Sequence, residues 1–253
     1  MRLLSWNLFG LSEEHRDVRT EAAVYTALLG GHPEVVFRSG RTPQLPDVLM
    51  FQEVVPRTYA AHICPQLSAA GYSIIPATPS ADRAYFEVLA VRSPLSIEDA
   101  QIFHLDSQQG RTLLLAKTRS GGRTWLWVTG HLESLRSGAS QRCAQAMVVQ
   151  KLLCDHVGPS LFAGDTNLRN SEVSLKSGIV DAWEACGHSA SHRWTWHAPG
   201  AEGKKRRGAR FDRIWGSGVG FAAFDCVGQE PVTADGRPAS DHLGIGVTVS
   251  ATD

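Results

Sequence analysis

Six places in the 253-residue sequence set ionisable or amide side chains at the margin of an apolar run. The densest is 160–169, S-L-F-A-G-D-T-N-L-R. Leu161, Phe162 and Ala163 form the short apolar run of a buried strand, and Gly164 ends it. Asp165 and Asn167 stand two residues apart, so in an extended chain both side chains leave on one face. Arg169 follows just behind. A buried strand gains no stability from that trio, and polar groups at such ends usually serve a site. The alternative is an Asx-turn in which Asp165 caps its own backbone.

The same arrangement recurs along the chain. Residues 2–9 (R-L-L-S-W-N-L-F) read as an apolar strand with one amide, Asn7, that needs hydrogen-bond partners once buried. A second buried strand, 47–55, carries Glu53 at its end, and that carboxylate must face water, a cation or a metal. The run 125–128 leads into His131-Leu132-Glu133-Ser134-Leu135-Arg136. Residues 210–215 form a strand with a buried Asp212. Ser240-Asp241-His242 opens the last strand, 243–249.

The set is rich in oxygen, with two histidines, amides and several carboxylates, and it holds no cysteine and no serine elbow. Such a set suits Mg²⁺, which prefers one or two carboxylates and keeps its waters. Zinc would want more His or Cys, and neither H-E-x-x-H nor a P-loop occurs. A metal, histidines and a carboxylate base match phosphoester hydrolysis. The metal polarises a phosphoryl oxygen, the base prepares water, and amides or cations hold the growing charge.

Several elements must hold these groups. Residues 20–31 have helical spacing and end at Gly30-Gly31, and 32–46, with three prolines, read as loop. Pro56 opens a helix through Ala70. Strands are expected at 72–75, 84–91 and 95–105, and a hairpin joins 111–118 to 124–131 about Ser120-Gly121-Gly122. Helices follow at 141–157 and 179–186, then a strand at 221–227. No repeat or linker interrupts the chain, so residues 1–253 read as one α/β or α+β domain.

Hydrophobic residues make up 43% of the chain, enough for a sizeable core. The 25 basic and 25 acidic residues balance, so any nucleic-acid binding rests on a local patch. The run Lys204 to Arg207 is either a solvated loop or a phosphate-backbone contact. The five cysteines lack a CxxC spacing and read as free thiols. Residues 3–11 are too short to span a membrane, and no cleavage pattern follows them. A soluble protein of the cytoplasm or nucleus is expected.

In this order, W-N, Q-E, H-L-E-S, G-D-T-N-L-R, F-D-R-I and S-D-H resemble the endonuclease/exonuclease/phosphatase superfamily. H-L-E-S-x-R, F-A-G-D-T-N-L-R, T-W and R-F-D-R-I resemble its tyrosyl-DNA phosphodiesterase 2 branch. The motifs run from Trp6 to His242. The resemblance implies an α/β four-layer sandwich, two mostly antiparallel sheets flanked by helices, as in DNase I-like folds. It implies Mg²⁺-dependent hydrolysis, with Mn²⁺ as a substitute, of the bond between a protein tyrosine and a DNA 5′-phosphate. The partner implied is DNA bearing a 5′-tyrosyl or peptide adduct. A monomer with no protein partner and no membrane association is expected. Another phosphoesterase of the superfamily is the alternative: a nuclease, an abasic-site enzyme, or a lipid or inositol phosphatase. T-N-L-R after Gly164-Asp165 argues against the abasic-site enzymes.

Carried onto this sequence, the resemblance implies the following roles. Glu53 is the metal ligand, with Asp241 near the metal. Asp165 orients and deprotonates the attacking water, and Asn7 and Asn167 hold phosphate and water. His242 stabilises the transition-state phosphate. His131 and Ser134 contact non-bridging oxygens or their waters. Asp212 either supports a histidine or forms a salt bridge with Arg213 or Arg210. Arg136 and Arg169 follow motif residues and read as phosphate contacts, with a solvated surface role as the alternative. Trp196 and Phe211 either stack on a base or belong to the core, and Tyr85 lies near a family tyrosine. The chain departs from the family pattern at Leu8-Phe9-Gly10, where Asp-Gly is usual, and at Leu243, where an aromatic is common. No ubiquitin-binding segment is expected ahead of the motifs.

Overall fold

The computed structural model describes residues 1–38, 43–76, 83–169, 172–197 and 208–252. In chain order the first half comprises β1 (Arg2–Asn7), α1 (Arg16–Leu29), α2 (Pro33–Arg38), β2 (Val48–Val54), α3 (Pro56–Thr58), a π turn (Tyr59–Ile63), α4 (Cys64–Ala69), β3 (Tyr72–Ile75), β4 (Phe86–Arg92) and β5 (Ile97–His104). Then follow β6 (Thr112–Ser120), β7 (Arg123–His131), α5 (Ala139–Asp155), β8 (Ser160–Asp165), β9 (Ile179–Asp181), α6 (Ala182–Ala185), β10 (Trp196–His197), β11 (Gly208–Ala209), β12 (Asp212–Ser217), β13 (Val219–Val227) and β14 (Gly244–Ala251).

Two six-stranded sheets result, ordered β13-β14-β1-β2-β4-β3 and β5-β6-β7-β8-β12-β9, with a two-stranded β10-β11 ribbon beside them. Pairing is antiparallel except for β1 with β2 and β7 with β8. Each parallel pair needs a crossover connection. Helices α1 and α2 lie within the first, and α5 within the second.

The apolar runs are continuous because both faces of each sheet are covered. Leu3, Met50, Leu89, Trp127, Ala163 and Ile245 pack between the sheets. Leu4, Trp6 and Phe51 point the other way, against Val24 of α1 and Ile63 and Leu67 further on. Phe162 and Trp215 pack with Val149 and Leu153 of α5. Helix, sheet, sheet and helix are therefore stacked as four layers, and the implied sandwich is observed.

Two element assignments are corrected. Residues 32–46 are not all loop, since Pro33–Arg38 form α2 with Pro33 at its first position. Residues 179–186 are not one helix. The β-branched pair Ile179-Val180 joins the sheet edge as β9 beside β12. Asp181 then caps α6, accepting from the amides of Trp183 (3.1 Å) and Glu184 (3.3 Å). The helix expected at 56–70 is present, with a π turn just before Pro65, which has no N–H to give an inner helical bond. Lys204 to Arg207 lie outside the described residues. No described helix is long and apolar enough to cross a membrane, and all five cysteines are free.

Candidate active site

The two parallel pairs end at one place. Asn7 closes β1, Glu53 lies near the end of β2, His131 closes β7 and Asp165 closes β8. His131 and Asp165 are register partners, and so are the glycines just before them, Gly130 and Gly164. A Cβ on Gly164 would sit 2.2 Å from the Gly130 carbonyl oxygen, so a side chain there would force the two strand ends apart. Glu53 sits where the pairing of β2 with β4 slips, and its φ of 54° is left-handed. Such a conformation is strained for glutamate and recurs at functional sites. Gly10 passes directly over it, where a Cβ would lie 2.0 Å from the Glu53 carbonyl oxygen.

Asp165 is the centre of the cluster and is 1% exposed. Its Oδ2 accepts from Asn7 Nδ2 at 2.9 Å and lies 3.3 Å from His131 Nε2 and 3.7 Å from His242 Nε2. Its Oδ1 accepts from the Asn167 amide at 2.9 Å. One carboxylate oxygen thus forms the Asx-turn and the other faces the cluster. Asn7 Nδ2 also reaches Glu53 Oε1 at 3.3 Å, and His131 Nδ1 lies 3.6 Å from that oxygen.

His242 arrives from the start of the last strand. Its Nδ1 lies 2.8 Å from Asp212 Oδ2, and Asp212 is the register partner of Asp165 across β12 and β8. Asp212 therefore supports a histidine. Arg210 instead pairs with Asp181 at 2.8 Å. Asp241 Oδ2 accepts from Trp196 Nε1 at 3.0 Å, while its Oδ1 is buried without a hydrogen bond among the described residues. Trp196 and Phe211 lie 5.3 Å apart, both half-buried beside Asp241 and Asp212.

The outer residues lie around this centre. Ser134 Oγ is 2.8 Å from Gln109 Nε2, and Arg169 Nη1 is 3.7 Å from Glu172 Oε1. Arg136 is exposed. The Tyr85 hydroxyl accepts from Arg111 at 2.8 Å, and its ring is 6.4 Å from that of His131. Asn167 Nδ2 donates to the Leu132 carbonyl at 3.2 Å.

Sequence reasoning passed over several supporting side chains. Ser240 Oγ donates to the Asn7 carbonyl at 2.7 Å and accepts from the His242 amide at 3.1 Å, tying the first strand to the last. Thr195 Oγ1 accepts from the Asp212 amide at 3.0 Å. Trp6 Nε1 donates to the His242 carbonyl at 2.9 Å. A serine before Asp-His and a tryptophan before Asn stand inside the motifs, and that placement was the available signal.

Burial and neighbouring charges set the protonation states. Burial alone would depress His242, but Asp212 and Asp165 outweigh it and lift the imidazole to about 10. His131 has no such excess of anions, and burial takes it down to about 3. Burial pushes Asp165 up, yet the histidines, Asn7 and the Asn167 amide hold it below the ordinary range. Burial and then Asp165 raise Glu53 to about 7. At neutral pH this pairs an imidazolium with a neutral imidazole about one ionised aspartate.

The residues fit a hard divalent cation. Glu53 shares its corner with Asp165 and Asp241, and a carboxylate raised by burial and then by anionic neighbours is returned to its ionised form by a cation. Asp241 Oδ1, which has no partner among the described residues, and the oxygen-rich donor set agree with that chemistry. Asp165, Asp212 and His242 also offer ligand atoms within 4.8 Å of one another.

The chain matches the model of the endonuclease/exonuclease/phosphatase family over residues 4–242. It is 28% identical to tyrosyl-DNA phosphodiesterase 2 of Gallus gallus over 266 residues, covering 96% of this chain and 65% of that protein. The chain thus spans about two thirds of the length of such relatives. The crystal structure of the Caenorhabditis elegans tyrosyl-DNA phosphodiesterase 2 superposes with a TM-score of 0.82 at 28% identity, covering 99% of this chain and 74% of that one. The Danio rerio enzyme, crystallised with a single-strand DNA product, gives 0.82 at 26% identity and 99% coverage of both chains. With the family model matched from Leu4 to His242, through every element that supplies the cluster, this chain belongs to the endonuclease/exonuclease/phosphatase family.

Proposed function

We propose that this chain is a divalent-cation-dependent 5′-tyrosyl-DNA phosphodiesterase that frees a protein tyrosine and leaves a 5′-phosphate on DNA. The observation that carries the reading is the contact set of Asp165 with Asn7, His131 and His242. The names of the relatives, and the DNA product in the Danio rerio structure, support the substrate. Residues 1–253 act as one catalytic domain in this reading.

Asp165 takes a proton from the attacking water. Its ionised form suits that task, and the Asn7 amide and Asn167 backbone fix the carboxylate in place. His242 stays cationic and directs Nε2 toward the same space, where it stabilises charge on the phosphoryl oxygens. Asp212 holds that imidazole through Nδ1, as the third member of a relay orients a base elsewhere. His131, being neutral, contributes a hydrogen bond rather than a charge. Glu53 and Asp241 would hold Mg²⁺, for which Mn²⁺ could substitute, and when bound the ion would supply charge neutralisation at the phosphoryl oxygens. A tyrosine phenol has an ordinary pKa of about 10 and leaves with less help from an acid than a sugar alkoxide. Ser134, Arg136 and Arg169 contact phosphate oxygens. Trp196, Phe211 and Tyr85 line the path of the DNA strand, and stacking there tolerates any base.

The test is a panel of a 5′-phosphotyrosyl oligonucleotide, an abasic-site duplex and an inositol phosphate, each with Mg²⁺ or with EDTA. Tyrosine release from the first alone, lost in EDTA, is expected. An intact tyrosyl substrate beside turnover of either of the others would overturn the reading.

A further inference from the structure

Arg142 is 1% exposed and stands in the first turn of α5. A cation is out of place there, because the helix dipole disfavours positive charge at an N-terminus. A buried guanidinium is also disfavoured unless it is paired and fully bonded. Neither propensity nor capping explains it, but its partners do. Nη1 donates to the carbonyls of Glu133 (2.9 Å) and Leu135 (3.0 Å) in the loop after β7. Nε and Nη2 grip both oxygens of Glu172, at 3.2 and 2.9 Å. Glu172 in turn accepts from the Arg169 amide at 2.8 Å, in the loop after β8.

A second side chain on the same helix face completes the hold. Gln145 Oε1 accepts from the Glu133 amide at 2.8 Å, and its Nε2 donates to the Asp106 carbonyl at 2.8 Å. The Glu133 carboxylate accepts from Ser107 Oγ at 2.6 Å, and Ser107 Oγ accepts from the Gln109 amide at 3.1 Å. Gln109 Oε1 then accepts from the Ser134 amide at 2.9 Å. Leu135, at φ 65°, turns the loop back on itself, and Gly138 passes so close that a Cβ would lie 2.5 Å from the Ser134 carbonyl.

We infer that Arg142 is a positioning residue, which locks the H-L-E-S-L-R loop to the G-D-T-N-L-R loop and so sets Ser134, Arg136 and Arg169 against one substrate strand. The inference rests on the phosphodiesterase reading for its substrate, but not for the lock itself. Arg142 touches neither Asp165 nor His242 in any of these bonds. Its loss misplaces the outer phosphate contacts and leaves the reacting centre intact.

Two variants test this. Arg142→Lys keeps the charge and loses the fork, and Glu172→Gln keeps the shape and loses the charge. Hydrogen exchange is followed in both, without any substrate. Amides of 133–136 and 168–169 are expected to exchange about tenfold faster together, with β1, β7, β8 and the Asn167 amide on Asp165 unchanged. In kinetics, KM for a 5′-tyrosyl oligonucleotide is expected to rise about tenfold with kcat within about threefold. A nitrophenyl ester of a mononucleotide 5′-phosphate, too short to reach both loops, is expected to turn over as before. Faster exchange in one loop only, or an equal loss of kcat on both substrates, would overturn the proposal. If the unsubstituted protein turned over neither substrate, the phosphodiesterase reading would fail, while the exchange data would still decide the lock.

Discussion

Asp165 accepts hydrogen bonds on both carboxylate oxygens and still faces two histidines, and this double use sets its role. Replacing it should separate chemistry from binding. Asp165→Ala is predicted to lower kcat by about 10³–10⁴ while the affinity for DNA changes little, as read by single-turnover kinetics beside equilibrium binding. Glu53 is predicted to behave differently. With Glu53→Gln the Mg²⁺ concentration for half-maximal rate should rise by about tenfold or more, and an unchanged metal titration would contradict the ligand assignment. These two residues were legible in the sequence because each is a costly polar group at the end of an apolar run. Ser240 and Thr195 were not. Each makes its contact across more than fifteen residues of chain with a backbone group, and no local spacing encodes that. Asp212 was half legible. Its sequence neighbours Arg210 and Arg213 suggested a salt bridge, but Arg210 is taken up by Asp181 and the carboxylate is left for His242.

Among the elements, the two parallel strand pairs matter most, because they alone bring four chain ends to one point. Gly130 and Gly164 permit the closeness of the second pair. Gly164→Ala, with its Cβ 2.2 Å from a backbone oxygen, is predicted to destabilise the fold by about 1–3 kcal/mol and to lower kcat by displacing Asp165. Urea unfolding and a rate measurement check the two parts. The loop after β8 carries its own pH signature. Burial raises Glu172, but Arg142 and the Arg169 amide outweigh it and hold the carboxyl below its ordinary 4.5. Its folded pKa is thus depressed, so its stabilisation is complete above 4.5 and fades as pH falls through the folded value. The stability gap between the wild type and Glu172→Gln should accordingly be widest near neutrality and close under acid, as followed by urea midpoints across pH. The sequence marked these strands but misread 179–186 as a helix. A three-residue edge strand and a four-residue helix share too few residues for either periodicity to show, and the pairing with β12 decides between them.

At the scale of the whole molecule, layering follows from patterning. Runs apolar on both faces demand cover on both faces, and the two sheets supply it to each other while α1 and α5 supply it outside. Strand count alone left α/β and α+β open, since it does not say which strands are neighbours. The motif order resolved that by resemblance, and the sheet order now states it physically. Under the proposed function, the balanced charge of 25 basic against 25 acidic residues leaves DNA recognition to the local group at the sheet ends. In the proposed mechanism these ends converge to send one water molecule at one esterified phosphorus atom. Single-turnover hydrolysis of a 5′-tyrosyl oligonucleotide in ¹⁸O-water tests it directly. One ¹⁸O in the 5′-phosphate, none in the released tyrosine and no protein-bound intermediate is the predicted result. Label in the tyrosine, a trapped covalent adduct, or the same turnover by Asp165→Ala would contradict it.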